Sequence, residues 1–318
     1  MNFVLTAFLA LAAAAATSFL FSWFVARRIE RALPAQGQWI DVAGERIHYR
    51  TMGRGPAIVL VHGLGGQMRH FAYLPLQELA TRHRIVLLDR PGSGHSPRSD
   101  DRHAALATQS RQVAAFIRAM AFPKPPLLVG HSLGGAVALG VALHDPQCIA
   151  GVALIAPLTH LNPQPPAIFR SLAIRSPFWR RAYANVLAVP MALLRGRQVL
   201  QALFGPDREP HDFGFKGGGL LSLRPQNFYS ASTDLCAIEH DLRQQQERYG
   251  ELALPVHILY GAGDRILDWR FHGEGLQQKV PHARLEVVPG GHMLPISSPA
   301  QTMAWLQRAA EATWEPAQ

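Results

Sequence analysis

The chain is 318 residues long, 48% hydrophobic and only 17% charged, which excludes a disordered polymer, since such chains are poor in apolar residues and rich in charge. Two cysteines, Cys148 and Cys236, exclude a disulfide framework and cannot by themselves close a cysteine-rich zinc site. The formal net charge of +9 is carried by arginine, with Lys124, Lys216 and Lys279 the only lysines, and it favours an anionic partner, either nucleic acid or a phospholipid surface.

The first 26 residues hold no charged side chain. From Phe3 to Val25 only Thr6, Thr17, Ser18 and Ser22 are polar, and as a helix this stretch covers about 34 Å, enough to cross a bilayer core with some tilt. Phe21, Trp23 and Phe24 close it and Arg27, Arg28 and Arg31 follow, an aromatic belt and then a basic flank. The pattern predicts a transmembrane anchor over residues 1–26 and a linker over 27–38. A cleavable signal peptide is the rival reading: Ala12–Ala16 offers small-residue cleavage sites, although no Lys or Arg precedes Phe3. A buried helix of a soluble protein is the third. For an anchor, the arginines lie on its C-terminal side, and the positive-inside rule leaves the rest of the chain in the cytoplasm. For a cleaved signal, the rest is exported.

Beyond the Pro/Gly-containing stretch Leu33–Gln38, Trp39–Val42 and Ile47–Arg50 alternate around Gly44 and read as a hairpin. Ala57–Val61, Ile85–Leu88, Pro126–Val129, Val152–Ile155, Val256–Tyr260 and Leu285–Val288 are then short apolar runs without alternation, suited to strands buried on both faces of a parallel sheet. Phe71–Thr81, Leu106–Met120, Leu133–His144 and Pro299–Ala310 read as helices between or after them. Strand and helix alternating in this way imply an α/β chain with a doubly wound sheet. The alternation breaks over residues 157–250, which open on Asn162-Pro163-Gln164-Pro165-Pro166 and contain Gly217-Gly218-Gly219. This stretch reads as a mostly helical insertion over one end of the sheet, dividing a core of residues 39–156 and 251–318.

Gly130-His131-Ser132-Leu133-Gly134 lies between a strand and a helix, the context that a G-x-S-x-G nucleophile requires. A serine on a tight, strained turn leaves no room for a Cβ at the flanking positions, and the turn presents its hydroxyl at a helix N-terminus. On these residues the chain resembles the α/β-hydrolase superfamily, from about Trp39 to the C-terminus. The resemblance implies a mostly parallel central sheet flanked by helices, with the insertion as a cap. His62-Gly63-Leu64-Gly65-Gly66 resembles the family's oxyanion loop, which implies that the amides of Leu64 and Leu133 bind the oxyanion. Asp89-Arg90-Pro91-Gly92-Ser93-Gly94-His95-Ser96 is similar to a structural turn of the family.

A serine hydroxyl needs a base, and the base needs an orienting carboxylate. The family order of serine, acid, histidine points to Asp264, just past the Val256–Tyr260 run, and to His292, which follows the last strand 28 residues later. Asp268 is the nearest competing carboxylate. His62 reads as a support of the oxyanion loop and His131 as a packed residue at the elbow. No histidine pair has metal spacing with a third ligand, so neither metal nor cofactor is expected.

The expected chemistry is therefore hydrolysis of a small-molecule acyl ester through an acyl-enzyme. Acyl transfer, thioester, carbon–carbon or perhydrolase chemistry on the same serine, and a non-catalytic binding protein, remain alternatives. The insertion carries eleven basic and seven acidic residues. Within it Ala167–Leu187 mixes Phe169, Phe178, Trp179 and Tyr183 with Arg170, Arg175, Arg180 and Arg181, the composition either of a helix resting in a membrane interface or of an ordinary cap helix with solvated arginines. Anchor, core and cap together resemble the build of monoacylglycerol-type lipases, which favours a lipid-like ester and membrane lipid as partner. Nucleic-acid binding has no motif behind it.

Overall fold

The computed structural model describes residues 2–162 and 166–314; Pro163, Gln164 and Pro165 of the predicted insertion lie outside them. Helix α1 (Asn2–Ala32) leads to the strands β1 (Gln38–Val42), β2 (Glu45–Met52), β3 (Ala57–Val61) and β4 (Arg84–Leu88), with the short helix α2 (Leu76–Leu79) before β4. Then follow α3 (Leu106–Ala119), β5 (Leu127–His131), α4 (Leu133–His144) and β6 (Gly151–Ile155). The excursion after β6 carries α5 (Pro177–Val186), α6 (Ala188–Phe204) and α7 (Pro225–Glu247). The chain closes with β7 (Val256–Gly261), α8 (Gly275–Lys279), β8 (Arg284–Val288), α9 (Leu294–Ser297) and α10 (Pro299–Trp314).

All eight predicted strands form one sheet in the order β1-β2-β4-β3-β5-β6-β7-β8. β1 and β2 are the antiparallel hairpin expected around Gly44, β2 also runs antiparallel to β4, and every other pairing is parallel. The apolar runs are apolar because both faces are covered. Within β3, Val59 and Val61 pack towards α3 and α4, whereas Ile58 and Leu60 pack towards α2 and α10, the two-residue period of a strand.

Three expectations change. The predicted helix Phe71–Thr81 is a tight turn (Met68–Phe71) and the single turn of α2, because Pro75 interrupts the amide ladder between them. The apolar helix does not stop at a linker: it continues through Arg27, Arg28 and Arg31 to Ala32, since no Gly or Pro breaks it before Pro34. The stretch Ala167–Leu187 is not one helix. A turn over Ala167–Leu172 precedes α5, which starts at Ser176-Pro177, with the Ser176 side chain accepting the Trp179 amide and Pro177 in the first turn.

Helix α1 is long and apolar enough to cross a membrane, and the most apolar window has none of its residues buried. Among the described residues it is the one helix that passes this measure. Its C-terminal part is packed: Ile29 and Leu33 are buried with Leu221, and Glu30 lies 3.9 Å from Arg224.

Candidate active site

Ser132, Leu64, Asp264 and His292 follow β5, β3, β7 and β8, four parallel strands whose C-terminal ends share one edge of the sheet, where open α/β sheets bind ligands. Ser132 sits at φ +55°, ψ −120°, a left-handed conformation that costs a non-glycine residue strain and turns its side chain away from the sheet. The glycines around it answer to close packing. A Cβ on Gly130 would lie 2.3 Å from the Gly134 carbonyl oxygen, and one on Gly134 would lie 2.3 Å from that of Val61. Gly63 faces the Ser132 side chain itself, where a Cβ would come within 2.9 Å of Ser132 Cβ and 3.3 Å of its Oγ.

The carboxylate of Asp264 is held in one orientation. Its Oδ1 accepts the amides of Ile266 and Leu267 at 2.8 and 3.0 Å, and its Oδ2 lies 2.8 Å from His292 Nδ1. Burial raises the Asp264 pKa, but His292 and the two amides outweigh it, so the net shift is downward and the group stays ionised. The acceptor Asp264 makes Nδ1 the protonated nitrogen and leaves Nε2 as the free base. Asp268, the competing carboxylate, is exposed and instead accepts the amides of Arg270 and Phe271 at 2.9 Å each. The loop holding His292 is fastened from the excursion, since Asp207 Oδ2 accepts the Gly291 amide at 2.9 Å.

Leu133 is the first residue of α4, where an amide has no acceptor within its own helix. Among the described residues no acceptor faces the Leu64 amide either. Leu64, Ser132 and Leu133 together line a cavity of about 370 Å³. Its far wall is apolar, with Leu158, Phe169, Leu235 and Leu242, and its rim carries Arg175, Glu239 and Arg243. Glu239 lies 3.7 Å from Arg175 and 3.8 Å from Arg243, all three well exposed.

His62 lies behind the loop that carries Leu64: its Nδ1 donates to Gly63 O at 2.9 Å and its Nε2 accepts the Arg90 amide at 3.0 Å. His131 packs at the elbow, its Nε2 donating to His292 O at 3.0 Å. Asp89 ties the neighbouring turn to His48, Met68 and His95, as a structural turn requires.

Burial pushes His62 far below its ordinary pKa, takes His70 down to about 4, and with the nearby His292 takes His131 to about 3. These rings are neutral in the folded protein, while the unfolded chain takes up their protons below about pH 6.5. The unfolded state then binds more protons, so stability rises with pH across that window. The urea midpoint is expected to hold between pH 8 and 7 and to fall between pH 6.5 and 5. A midpoint unchanged at pH 5 contradicts this.

Arg90, which the sequence places only within a structural turn, and Asp234 support the site through a pairing that the sequence does not reveal. The Arg90 guanidinium, fully buried, donates to His62 O at 3.1 Å and Gly63 O at 2.8 Å, and pairs with Asp234 Oδ2 of α7 at 3.1 Å. Arg98 pairs with the other Asp234 oxygen. The excursion is thus braced to the carbonyls that shape the Leu64 loop. Asp234→Asn leaves buried guanidinium charge without its partner, and is expected to cost about 3–5 kcal/mol, read as a lower urea midpoint at pH 7. An unchanged midpoint would show that the pair is solvated.

Comparison with known proteins agrees with this architecture. The sequence pattern of the alpha/beta hydrolase fold matches residues 56–299. A pimeloyl-acyl-carrier-protein methyl ester esterase from Chromobacterium violaceum is 29% identical over 260 residues, 79% of this chain and 92% of the relative. A dihydrolipoyllysine-residue acetyltransferase component of the acetoin cleaving system from Cupriavidus necator is 37% identical over 281 residues, 86% of this chain and 66% of the relative. Among solved structures, a membrane phospholipase A aligns with a TM-score of 0.64 at 20% identity, covering 99% of each chain, a likeness of fold. With one eight-stranded sheet, a serine elbow after β5 and a matching sequence pattern, the chain belongs to the α/β-hydrolase fold family.

Proposed function

We propose that the protein is a membrane-anchored serine hydrolase cleaving carboxylic esters of lipid-like acyl chains, with Ser132 as nucleophile, His292 as base and Asp264 as its orienting acid. The observation that carries this reading is the Asp264–His292 pair at 2.8 Å, on the same sheet edge as a serine that opens on an apolar-walled cavity. His292 takes the proton of Ser132 as its Oγ attacks the ester carbonyl, and the amides of Leu64 and Leu133 bind the oxyanion. His292 then protonates the departing alcohol, and water repeats the cycle on the acyl-enzyme.

The name of the C. violaceum relative supports ester hydrolysis. A lipid-like acyl group suits the apolar wall, and residues 157–250 act as the cap that supplies most of it. The anchor rests on α1, whose exposed apolar stretch ends in Trp23, Phe24 and the arginines. Its packing against Leu221 favours retention over cleavage, and the arginines after the apolar stretch favour a cytoplasmic catalytic domain by the positive-inside rule. The name of the C. necator relative favours acyl transfer as a second reading.

The test is an activity panel of p-nitrophenyl esters, monoacylglycerols and acyl-CoAs, with Ser132→Ala as the blank and with and without an alcohol acceptor. Serine-dependent cleavage of esters is expected. Transfer that dominates in the presence of acceptor would replace hydrolysis by the second reading, and no serine-dependent turnover would end both.

A further inference from the structure

The contact between α1 and the cap lies deep on the apolar side of the anchor. One stripe of α1, comprising Ser18, Ser22, Val25, Ala26 and Ile29 and continued by Leu33 just past its end, is partly or fully buried while the other residues around it face outward. At its far end the Ser18 hydroxyl donates to the carbonyl oxygen of Val186, the last residue of α5. Ser18 precedes Phe24 by six residues, about 9 Å of helix, and Arg27 by nine, about 13 Å. Taking Phe24 as the edge of the hydrocarbon, Val186 lies about 9 Å inside it, within a leaflet about 15 Å deep.

The sequence of the cap at that point fits such a depth. Val186-Leu187-Ala188-Val189-Pro190-Met191-Ala192-Leu193-Leu194 holds no polar side chain, and Arg195 ends it. Arg195 therefore stands nine residues beyond Val186, just as Arg27 stands nine beyond Ser18. Leu187, Leu193 and Leu194 are exposed, Leu194 to 79%, which water would penalise and lipid would not. Towards the body of the protein α5 carries Phe178 and Trp179, also exposed, an aromatic pair of the kind found at headgroup level. Arg181 turns back over the ring of Tyr229, away from the apolar end. The break between α5 and α6 leaves carbonyl groups outside the helical ladder, and in hydrocarbon each must find a donor. The Ser18 hydroxyl supplies one.

We infer that the α5–α6 joint is a second membrane element: a re-entrant helical corner that dips into the hydrocarbon beside α1 and holds the cap at the surface of an anionic bilayer. This rests on the reading of α1 as an anchor. The cap is then attached to the membrane at two places, and its orientation over the bilayer is fixed rather than free to swivel on the short segment between α1 and β1. Arg195 and Arg197 would lie among the lipid phosphates, a sequence-neutral electrostatic contact.

The test uses the full chain in nanodiscs of phosphatidylethanolamine and phosphatidylglycerol. An environment-sensitive fluorescent amino acid is placed at position 187, at the α5–α6 joint where the leucine is exposed, at position 11 within the apolar stretch of α1, or at the exposed position 102. Quenching is compared between bromine-labelled acyl chains and aqueous iodide. The probe at 187 is expected to behave like the probe at 11, quenched by the brominated chains and several-fold less by iodide than the probe at 102. Iodide quenching at 187 equal to that at 102, with 11 still lipid-quenched, overturns the re-entrant corner and spares the anchor. Iodide quenching at 11 as well removes the anchor and the corner together.

Discussion

Ser132→Ala should lower ester turnover about 10⁶-fold, the scale seen when a triad serine hydrolase loses its nucleophile, while leaving the thermal midpoint close to that of the parent. The expectation of an intact fold is specific to this position. Ser132 makes no side-chain capping bond at the start of α4, so no fastening is lost with its hydroxyl. A positive φ like that of Ser132 is also adopted by alanine elsewhere in this chain, at Ala43, Ala121 and Ala156. Residual turnover reflects what the oxyanion amides and the cavity do without a nucleophile. The measurement is kcat on a p-nitrophenyl ester with labelling by a fluorophosphonate probe. Parent-like turnover in the variant would remove Ser132 from the chemistry.

Asp264→Asn carries the second largest effect, a loss in kcat of about 10⁴-fold with KM nearly unmoved. The asparagine carbonyl can still accept the amides of Ile266 and Leu267, so the loop is kept. Its NH₂ group then faces His292 Nδ1 and demands an acceptor there, which puts the proton on Nε2 and removes the base. The buried imidazolium formed during attack also loses its counter-charge. Asp268→Asn is the matched control: its Oδ1 caps the Arg270–Phe271 turn, and turnover should stay near the parent value. Equal losses in the two variants would mean that the orienting acid is misassigned.

The contrast between those two aspartates shows what the sequence could carry. The turn at Ser132, the glycine-bearing loop after β3 and the eight strands were legible because each depends on neighbours within about ten residues: glycine where a Cβ would strike a carbonyl, and apolar runs where both faces are covered. The choice of Asp264 over Asp268 needed the family order, and Phe71–Thr81 failed because the stop at Pro75 was outweighed by the apolar spacing around it. Arg90 and Asp234 stayed hidden for another reason. They are separated by 144 residues, and an aspartate in a polar helix looks like a solvated surface group until the fold buries it. Arg180 likewise read as a solvated or interfacial arginine, yet it is 4% exposed and donates to Ser232 and Thr233 of α7. A lone charge in sequence does not announce its partner.

The Arg90–Asp234 pair also bears on how this chain could be remodelled. Substrate range in a fold of this kind is most simply altered by exchanging the insertion between β6 and β7 for that of a relative. Here such a graft would remove the carboxylate that neutralises Arg90 and Arg98, and the Arg90 guanidinium on the carbonyls of His62 and Gly63 would be left to find water or to move. A transplanted insertion will be accepted only if it brings an acid to the place of Asp234, or if Arg90 is exchanged with it. The unit of inheritance is the insertion together with the turn under it.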